Sequence, residues 1–189
     1  MTVQDAEREM RLVYMGGFYG QLVSSVIWLV SGAFGTWVSP KASILTVVIG
    51  RFFIFPLTHV LLRLSPRGGS VSNENPFTSV GMQVTFVLPF SMLLLVPVGL
   101  YRLNWFFPAL MILVGAHYLP FATLYGMRMF LLLAGILIAA GVMIAIYFAA
   151  TFRLGLWTGG LALSDFAWIG RSIATDEAMD SQADPIRGR

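Results

Sequence analysis

Long apolar runs, each close to the length of a membrane crossing, recur along most of this 189-residue chain. Hydrophobic residues make up 57% of it and charged residues only 11%, which is not the balance of a soluble domain. A helix needs about 20 residues to cross a hydrocarbon core of roughly 30 Å. Six runs approach or exceed that length, at approximately residues 12–37, 42–64, 78–100, 104–127, 129–151 and 155–172. The sequence therefore predicts an all-α polytopic membrane protein with six transmembrane helices, whose first partner is the lipid bilayer.

The connections between these runs predict a compact bundle. Only one sizeable loop, SPRGGSVSNENPF, interrupts the membrane portion, and it follows the second run. Helices joined by short turns must be antiparallel neighbours, so residues 1–172 are expected to form a single up-and-down transmembrane domain. Residues 173–189 are polar and aperiodic, and they are expected to form a mobile C-terminal tail.

Basic residues predict the orientation of the bundle. Six crossings place eight arginines on one side and three basic residues on the other: Arg8, Arg11, Arg63, Arg67, Arg128, Arg171, Arg187 and Arg189, against Lys41, Arg102 and Arg153. Lys and Arg are enriched in cytoplasmic loops, so both termini are expected to be cytoplasmic. Because these charges flank apolar runs, they indicate topology and not nucleic-acid binding.

Small residues at four-residue spacing predict close helix packing. They occur on the first, fifth and sixth runs: Gly16, Gly20 and Ser24; Gly141, Ala145 and Ala149; Gly155 and Gly159. Such spacing lets two backbones approach closely inside a membrane. We interpret these residues as contacts within the bundle.

Ionisable residues at membrane depth are the most informative part of the sequence. Arg51, Asp165 and His117 lie about 14, 15 and 20 Å below the outer ends of their runs, at 1.5 Å per residue. Their runs all cross in the same direction, so these side chains fall within a layer of about 6 Å. A charge at the centre of a membrane helix costs roughly 2.5–3.5 kcal/mol on insertion scales. We therefore expect all three to face the interior, with Arg51 and Asp165 paired.

Further polar residues extend this predicted layer towards the cytoplasm. Arg51 shares a helix face with Ser43, Thr58 and His59, and Tyr118 follows His117. Gln21 and Gln83 lie in the inner half of their runs. The candidate ligand-binding residues are Arg51, His117, Asp165, Tyr118, Gln21 and Gln83. Proline residues within three of the runs (Pro56, Pro89 and Pro120) each free a backbone carbonyl near this depth, as in helices that border a wet cavity.

Two alternatives to a ligand pocket remain open at this stage. A buried Arg–Asp pair can serve only to fix helix register. His59 and His117 could instead be the axial ligands of a b-type haem, although their estimated depths differ by about 6 Å. On that second alternative the protein has a cofactor; otherwise none is expected, and His59 is a surface residue near the headgroups.

Most enzyme chemistry is poorly represented in the sequence. The chain has no cysteine, which excludes disulfides, thiolate metal sites and iron–sulfur clusters. It has no HExxH, no GxSxG and no glycine-rich phosphate loop, and only one acid lies at mid-membrane depth. An intramembrane enzyme is therefore less favoured than a binding protein, and no catalytic or metal-ligating residue is predicted.

The runs NWFFPALMILVGAHYLPFATLYGM and GGFYGQLVSSVIWLVSG resemble an uncharacterised family of small bacterial integral membrane proteins, defined as a domain of unknown function. The resemblance covers most of the membrane portion and implies a multi-pass protein of the bacterial cytoplasmic (inner) membrane. It implies no activity. From the residues we expect a mid-membrane polar pocket that binds a small molecule or an ion, with an anionic ligand as one candidate, for transport or sensing. The competing interpretation is a structural or accessory subunit, with a membrane-protein partner or a second copy of the chain.

Overall fold

A computed structural model of the chain describes residues 1–65, 70–148, 150 and 152–183, without the side chains of residues 154, 156 and 180–183. Three arginines used to predict the orientation, Arg67, Arg187 and Arg189, lie outside that part. Within it, all regular secondary structure is helical. The predicted all-α class is therefore confirmed.

Seven helices follow one another along the chain. They are α1 (Val3–Val13), α2 (Phe18–Trp37), α3 (Pro40–Leu64), α4 (Phe77–Tyr101), α5 (Phe106–Leu124), α6 (Met129–Tyr147) and α7 (Phe152–Ala183). Short 3-10 turns precede α2 (Met15–Gly17) and α5 (Leu103–Trp105). A third, Met92–Leu94, lies inside α4 between its segments Phe77–Ser91 and Leu95–Tyr101. Pro97 has no N–H for the carbonyl of Leu93, so the helix tightens there.

In the part of the chain that the structure describes, five apolar helical segments are long enough to cross a membrane: Met15–Trp37, Pro40–Leu64, Phe77–Tyr101, Leu103–Leu124 and Met129–Tyr147. They agree with the first five predicted spans, with ends shifted by a few residues. The protein is therefore a multi-pass membrane protein. Its amino-terminal helix α1 is short and polar, and it is separate from these five segments.

The end of α7 corrects the predicted tail. The helix continues without interruption to Ala183, whereas an aperiodic segment was expected from residue 173. Ala174 is buried, and Glu177 forms an ion pair with α1, so this part of α7 packs on the molecule. The Glu, Ala, Met and Gln residues after position 173 favour helix, and no Pro occurs in this part of the chain before position 185, which explains the continuation. Residues 184–189 lie outside the described part.

Helix α2 packs antiparallel to α7 along its whole length. Three pairs mark successive levels of this contact: Gly16 with Gly170, Trp28 with Gly159, and Trp37 with Trp157. A Cβ at position 159 would lie 2.4 Å from Cζ2 of Trp28, so only glycine fits there. The predicted packing role of Gly16 and Gly159 is confirmed.

Helix α3 also runs antiparallel to α2, on another side. Ser31 and Ser43 each donate a hydrogen bond from their hydroxyl to the other's carbonyl oxygen, at 2.8 Å. Further along, Gly50 lies against Ile27 and Thr58 lies near Gly20. Most other side chains of α3 and α4 are exposed, so these two helices form the outer, lipid-facing side of the bundle.

Helix α1 lies across the cytoplasmic end defined by the predicted orientation. Its first turn has a capping box, in which Thr2 accepts from the N–H of Asp5 and Asp5 accepts from that of Thr2. Arg11 donates from Nε and Nη2 to both carboxylate oxygens of Glu177, at 2.5 and 2.8 Å. On the other side, Asn75 donates from Nδ2 to the carbonyl of Ala6, at 3.1 Å. These contacts hold α1 to α7 and to the loop before α4.

Candidate functional site

Arg51 lies inside the bundle, halfway along α3. Only 6% of its surface is exposed, and Ser43 and Val47, at four-residue spacing on the same face, are also buried. Its guanidinium carbon lies 5.5 Å from the ring centroid of Trp28, a fully buried residue of α2. Sequence spacing predicted this buried position of Arg51. It did not identify Trp28 as its neighbour.

Helix α5 supplies the other wall of this interior. Arg51 is close enough to interact electrostatically with Tyr118 and His117, which are consecutive residues of α5. The Tyr118 ring is buried and stacks on Phe130 of α6, with centroids 5.9 Å apart. The His117 ring packs edge-on against Phe121, at 5.3 Å. The structure therefore brings together three of the predicted site residues: Arg51, His117 and Tyr118.

Several buried polar atoms of this interior have no hydrogen-bond partner. Within the described part of the chain they are Nε2 and Oε1 of Gln21, Nε1 of Trp28, Nη2 of Arg51, Oγ1 of Thr58 and Nδ1 of His117. All of them belong to α2, α3 or α5. An unsatisfied buried polar atom costs about 1–3 kcal/mol. Several such atoms therefore suit a pocket in which water or a polar ligand supplies the missing hydrogen-bond partners.

The unpartnered atoms that belong to α2 and α3 lie at two levels along this pair of helices. Trp28 and Arg51 mark the level near mid-membrane. Gln21 and Thr58 each lie seven residues from that level along their helices, and Thr58 lies beside Gly20, the neighbour of Gln21. Seven residues of helix rise about 10 Å. The unpartnered polar atoms of α2 and α3 therefore extend from the level of Arg51 towards the end of the bundle at which α1 lies.

The expected ion pair between Arg51 and Asp165 does not form, which is a correction. Asp165 is exposed, and the ion pairs among the described residues are those of Arg8 and Arg11 with Glu177. The reason is the rotation of α7. Its buried positions include Gly159, Leu163, Ala167 and Gly170, which pack towards the bundle. This face of small and apolar residues excludes Asp165 from the interior.

Gln83 and His59 also lie outside the interior. Gln83 is exposed on α4, where it lines a shallow, open and mainly apolar groove with Met82 and Phe86. His59 is exposed on α3, and its ring stacks on Phe55, with centroids 6.4 Å apart. Thr58, one residue earlier, is the one that turns inwards. His59 and His117 therefore do not face each other, and the structure does not assemble the predicted haem ligand pair.

Trp28 is a residue of this candidate site that the sequence did not lead us to expect. A signal was present: tryptophan in membrane helices is usual at the interfaces, whereas Trp28 lies in mid-run, seven residues after Gln21 and on the same helix face. In the part of the chain that the structure describes, no group of three His, Asp or Glu side chains is placed to hold a metal ion.

The chain belongs to DUF7010, a family of unknown function, which matches residues 3–169. That range includes α1 to α6 and the segment of α7 that lies along α2. No curated protein and no solved structure matches the chain. The expected resemblance to an uncharacterised membrane-protein family is confirmed to this extent.

Proposed function

We propose that the interior around Arg51 binds a small anion, or a small molecule with an anionic group, for transport across the membrane or for sensing. The observation that carries this proposal is the state of Arg51, a buried cation that has an unsatisfied Nη2 and no carboxylate partner among the described residues. Intramembrane ionisable residues are rare and costly, and they commonly mark substrate or ion pathways.

The neighbouring groups suit an anionic ligand. The indole N–H of Trp28 can only donate, and the guanidinium of Arg51 has no acceptor. Gln21 and Thr58 can each donate as well. An anion at Arg51 would receive a charge-assisted hydrogen bond from Nη2 of Arg51 and a further hydrogen bond from Nε1 of Trp28, which otherwise have no partner. Gln21 and Thr58 lie about 10 Å further along and would donate only to a longer anionic molecule. The apolar rings of Tyr118 and Phe121 would strengthen these interactions by excluding water.

Thermal unfolding of the purified full-length protein in detergent tests this proposal. Chloride, phosphate, acetate and a series of dicarboxylates serve as probes, each against its buffer control. A ligand that binds only the folded state stabilises it by RT ln(1 + [L]/Kd), about 2.7 kcal/mol at a hundredfold excess over Kd. We expect a saturable rise in Tm for one class of anion. Arg51→Leu should abolish that rise and Arg51→Lys should weaken it, since Lys lacks the bidentate geometry.

Gln83→Leu is the matched control, because Gln83 is a polar membrane residue on the exposed side of α4. It should retain the full ligand-induced shift. A shift that is equal in wild type and Arg51→Leu, or no shift for any anion, contradicts the proposal. Uptake of the identified anion into proteoliposomes then separates transport from sensing.

The proposed topology has six crossings, with both termini in the cytoplasm of a bacterial inner membrane. Support comes from α7, whose segment from Trp157 to Gly170 lies beside α2 from Trp37 to Gly16. Because this segment of α7 packs side by side with α2, which is long enough to cross a membrane, it should lie at the same membrane depths as α2. The cysteine-free chain allows a direct test by single-cysteine labelling in cells. Ser39→Cys and Arg102→Cys should react with a membrane-impermeant reagent, whereas Arg63→Cys and Arg128→Cys should react only after lysis.

A second candidate function is that of an accessory subunit in a membrane complex. The exposure of Asp165 on α7 favours it, because a carboxylate that faces lipid calls for a partner. The two functions are compatible, since Arg51 and Asp165 lie on different surfaces.

A further inference from the structure

Asp165 lies at membrane depth on the outer surface of α7. The neighbouring residues Trp168 and Gly170 contact Phe18 and Gly16, and Gly159 contacts Trp28, so Asp165 lies between these levels of α2. It is six residues, or about 9 Å, from the cytoplasmic end of the crossing at Arg171. The side chain of aspartate is too short to reach the headgroups from that depth, unlike that of Lys or Arg.

Among the described residues, no cation is placed beside this carboxylate. Arg51 is buried on the other side of α2, and the guanidinium of Arg171 lies over the rings of Phe18 and Trp168, at 5.0 and 5.2 Å. The other basic residues with exposed side chains in the described ranges are at helix ends or in the polar α1 segment: Arg8, Lys41, Arg63, Arg102, Arg128 and Arg153. A charged group exposed to hydrocarbon at such a depth is costly, and pairing is the usual solution.

We propose that Asp165 is the docking point for a transmembrane helix of another protein, which carries a Lys or Arg at matching depth. This proposal rests on the sixth crossing proposed above, but not on the anion site at Arg51. Charge complementarity identifies the occupant. A second copy of the chain would bring another Asp165 to this surface and no exposed cation at that level.

The surface around Asp165 suits helix packing. Leu161 lies one turn before it and Trp168 one turn after it on the same face, and each is more than half exposed. Ile169 completes an apolar rim around the carboxylate. A partner helix on this face would therefore bury apolar side chains around one central ion pair, which excludes lipid from both charges.

Energy transfer in proteoliposomes tests the proposal with a defined probe. The full-length protein carries a donor fluorophore at an engineered cysteine on its cytoplasmic side, and the probe is a leucine-rich transmembrane peptide with an acceptor. One peptide has a single Arg at the depth of Asp165, and the matched peptide has Leu there. Polar contacts between membrane helices are worth about 0.6–2 kcal/mol, so we expect roughly three- to thirtyfold tighter association of the Arg peptide.

Asp165→Asn should remove this preference, because it keeps the shape of the side chain without its charge. Gln83→Leu is the control on the opposite, α4 surface and should keep it. Equal association of the two peptides with wild type, or a preference that survives Asp165→Asn, would overturn the proposal. Self-association of the protein that depends on Asp165, without any preference for the Arg peptide, would also overturn it in favour of a homodimer. Labelling of Asp176→Cys, which follows the proposed sixth crossing, from outside the cell would instead indicate that this crossing is wrong.

Discussion

The guanidinium carbon of Arg51 lies 5.5 Å from the ring centroid of Trp28, and no carboxylate in the described part of the chain is paired with it. A cation–π contact of this kind is worth about 2 kcal/mol when it is desolvated. That compensates only part of the cost of burying a guanidinium, whose full satisfaction needs acceptors. The pair therefore holds Arg51 in place without consuming its hydrogen-bonding capacity, which stays available to a ligand.

Arg51→Leu should leave the ligand-free protein at least as stable as wild type. It removes an unsatisfied buried cation, which costs about 1–3 kcal/mol, together with a cation–π contact to Trp28 of about 2 kcal/mol, and it leaves no buried carboxylate unpaired among the described residues. The measurement is the midpoint of thermal unfolding in detergent without added anions. Arg63→Leu, at the exposed end of α3, should change stability by less than about 0.5 kcal/mol. If Arg51 had a buried carboxylate partner, its loss would instead destabilise by about 3–5 kcal/mol.

Arg51 and Asp165 should be energetically independent. In a double-mutant cycle with Arg51→Leu and Asp165→Asn, the two effects on unfolding free energy should add within about 0.5 kcal/mol, as they do for sites without contact. Reversible unfolding in mixed micelles gives the four values. A coupling above about 1 kcal/mol would show that the two side chains meet, contrary to the structure.

Gly16→Ala should destabilise the protein by more than about 2 kcal/mol, which combines backbone strain with a steric clash. Gly16 has a φ of +60°, and a Cβ there would lie 2.5 Å from the carbonyl oxygen of Gly170. Gly135→Ala on α6 is the matched control, since a Cβ there meets nothing within 4 Å. It should be neutral or slightly stabilising, because alanine favours helix more than glycine does. Equal effects of the two substitutions in thermal unfolding would contradict the close contact of α2 with α7.

Acid should loosen α1 through Glu177. The hydrogen bond from Arg11 holds the pKa of Glu177 below its ordinary value, so the folded state favours the ionised carboxylate. Its contribution is therefore complete above the ordinary Glu pKa of about 4.3 and is lost as the pH falls through the lower folded value. Amide hydrogen exchange of α1 in wild type and in Glu177→Gln, compared at each pH, measures the contribution of Glu177 to the stability of α1.

At pH 7 wild type should protect α1 more than Glu177→Gln does, and the two should converge in acid. Asp176→Asn, at an exposed neighbouring position, should behave as wild type. A constant difference between wild type and Glu177→Gln at all pH values would exclude the ion pair as the cause.

The spans were predictable because the membrane imposes their length and hydropathy on the sequence directly. Five of the six predicted spans match apolar helices within a few residues, and the depth of Arg51 followed from its distance to the helix end. Its inward rotation followed as well, from the cost of a lipid-facing charge and from the helix face that it shares with Ser43, which is also buried.

The rotation of α7 could not be predicted from its polar residue alone. An inward position was predicted for Asp165 because the exposure of a charge to hydrocarbon is costly. In the structure, Gly159, Gly170 and the small residues between them decide the contact with α2, because only they allow the backbones to approach. Gln83 on α4 was likewise expected to face the interior because it is polar, and it is exposed.

The sequence by itself determined that this chain is a bundle of membrane helices, and it determined the depth of each charged group, because depth is a count of residues along a helix. Only the tertiary structure decided which of these groups meet. It placed Arg51 beside Trp28 and Tyr118, and it left Asp165 outside. The physical reason is that the rotation of each helix is set by the fit of small and large side chains from different parts of the chain, such as Gly159 against Trp28.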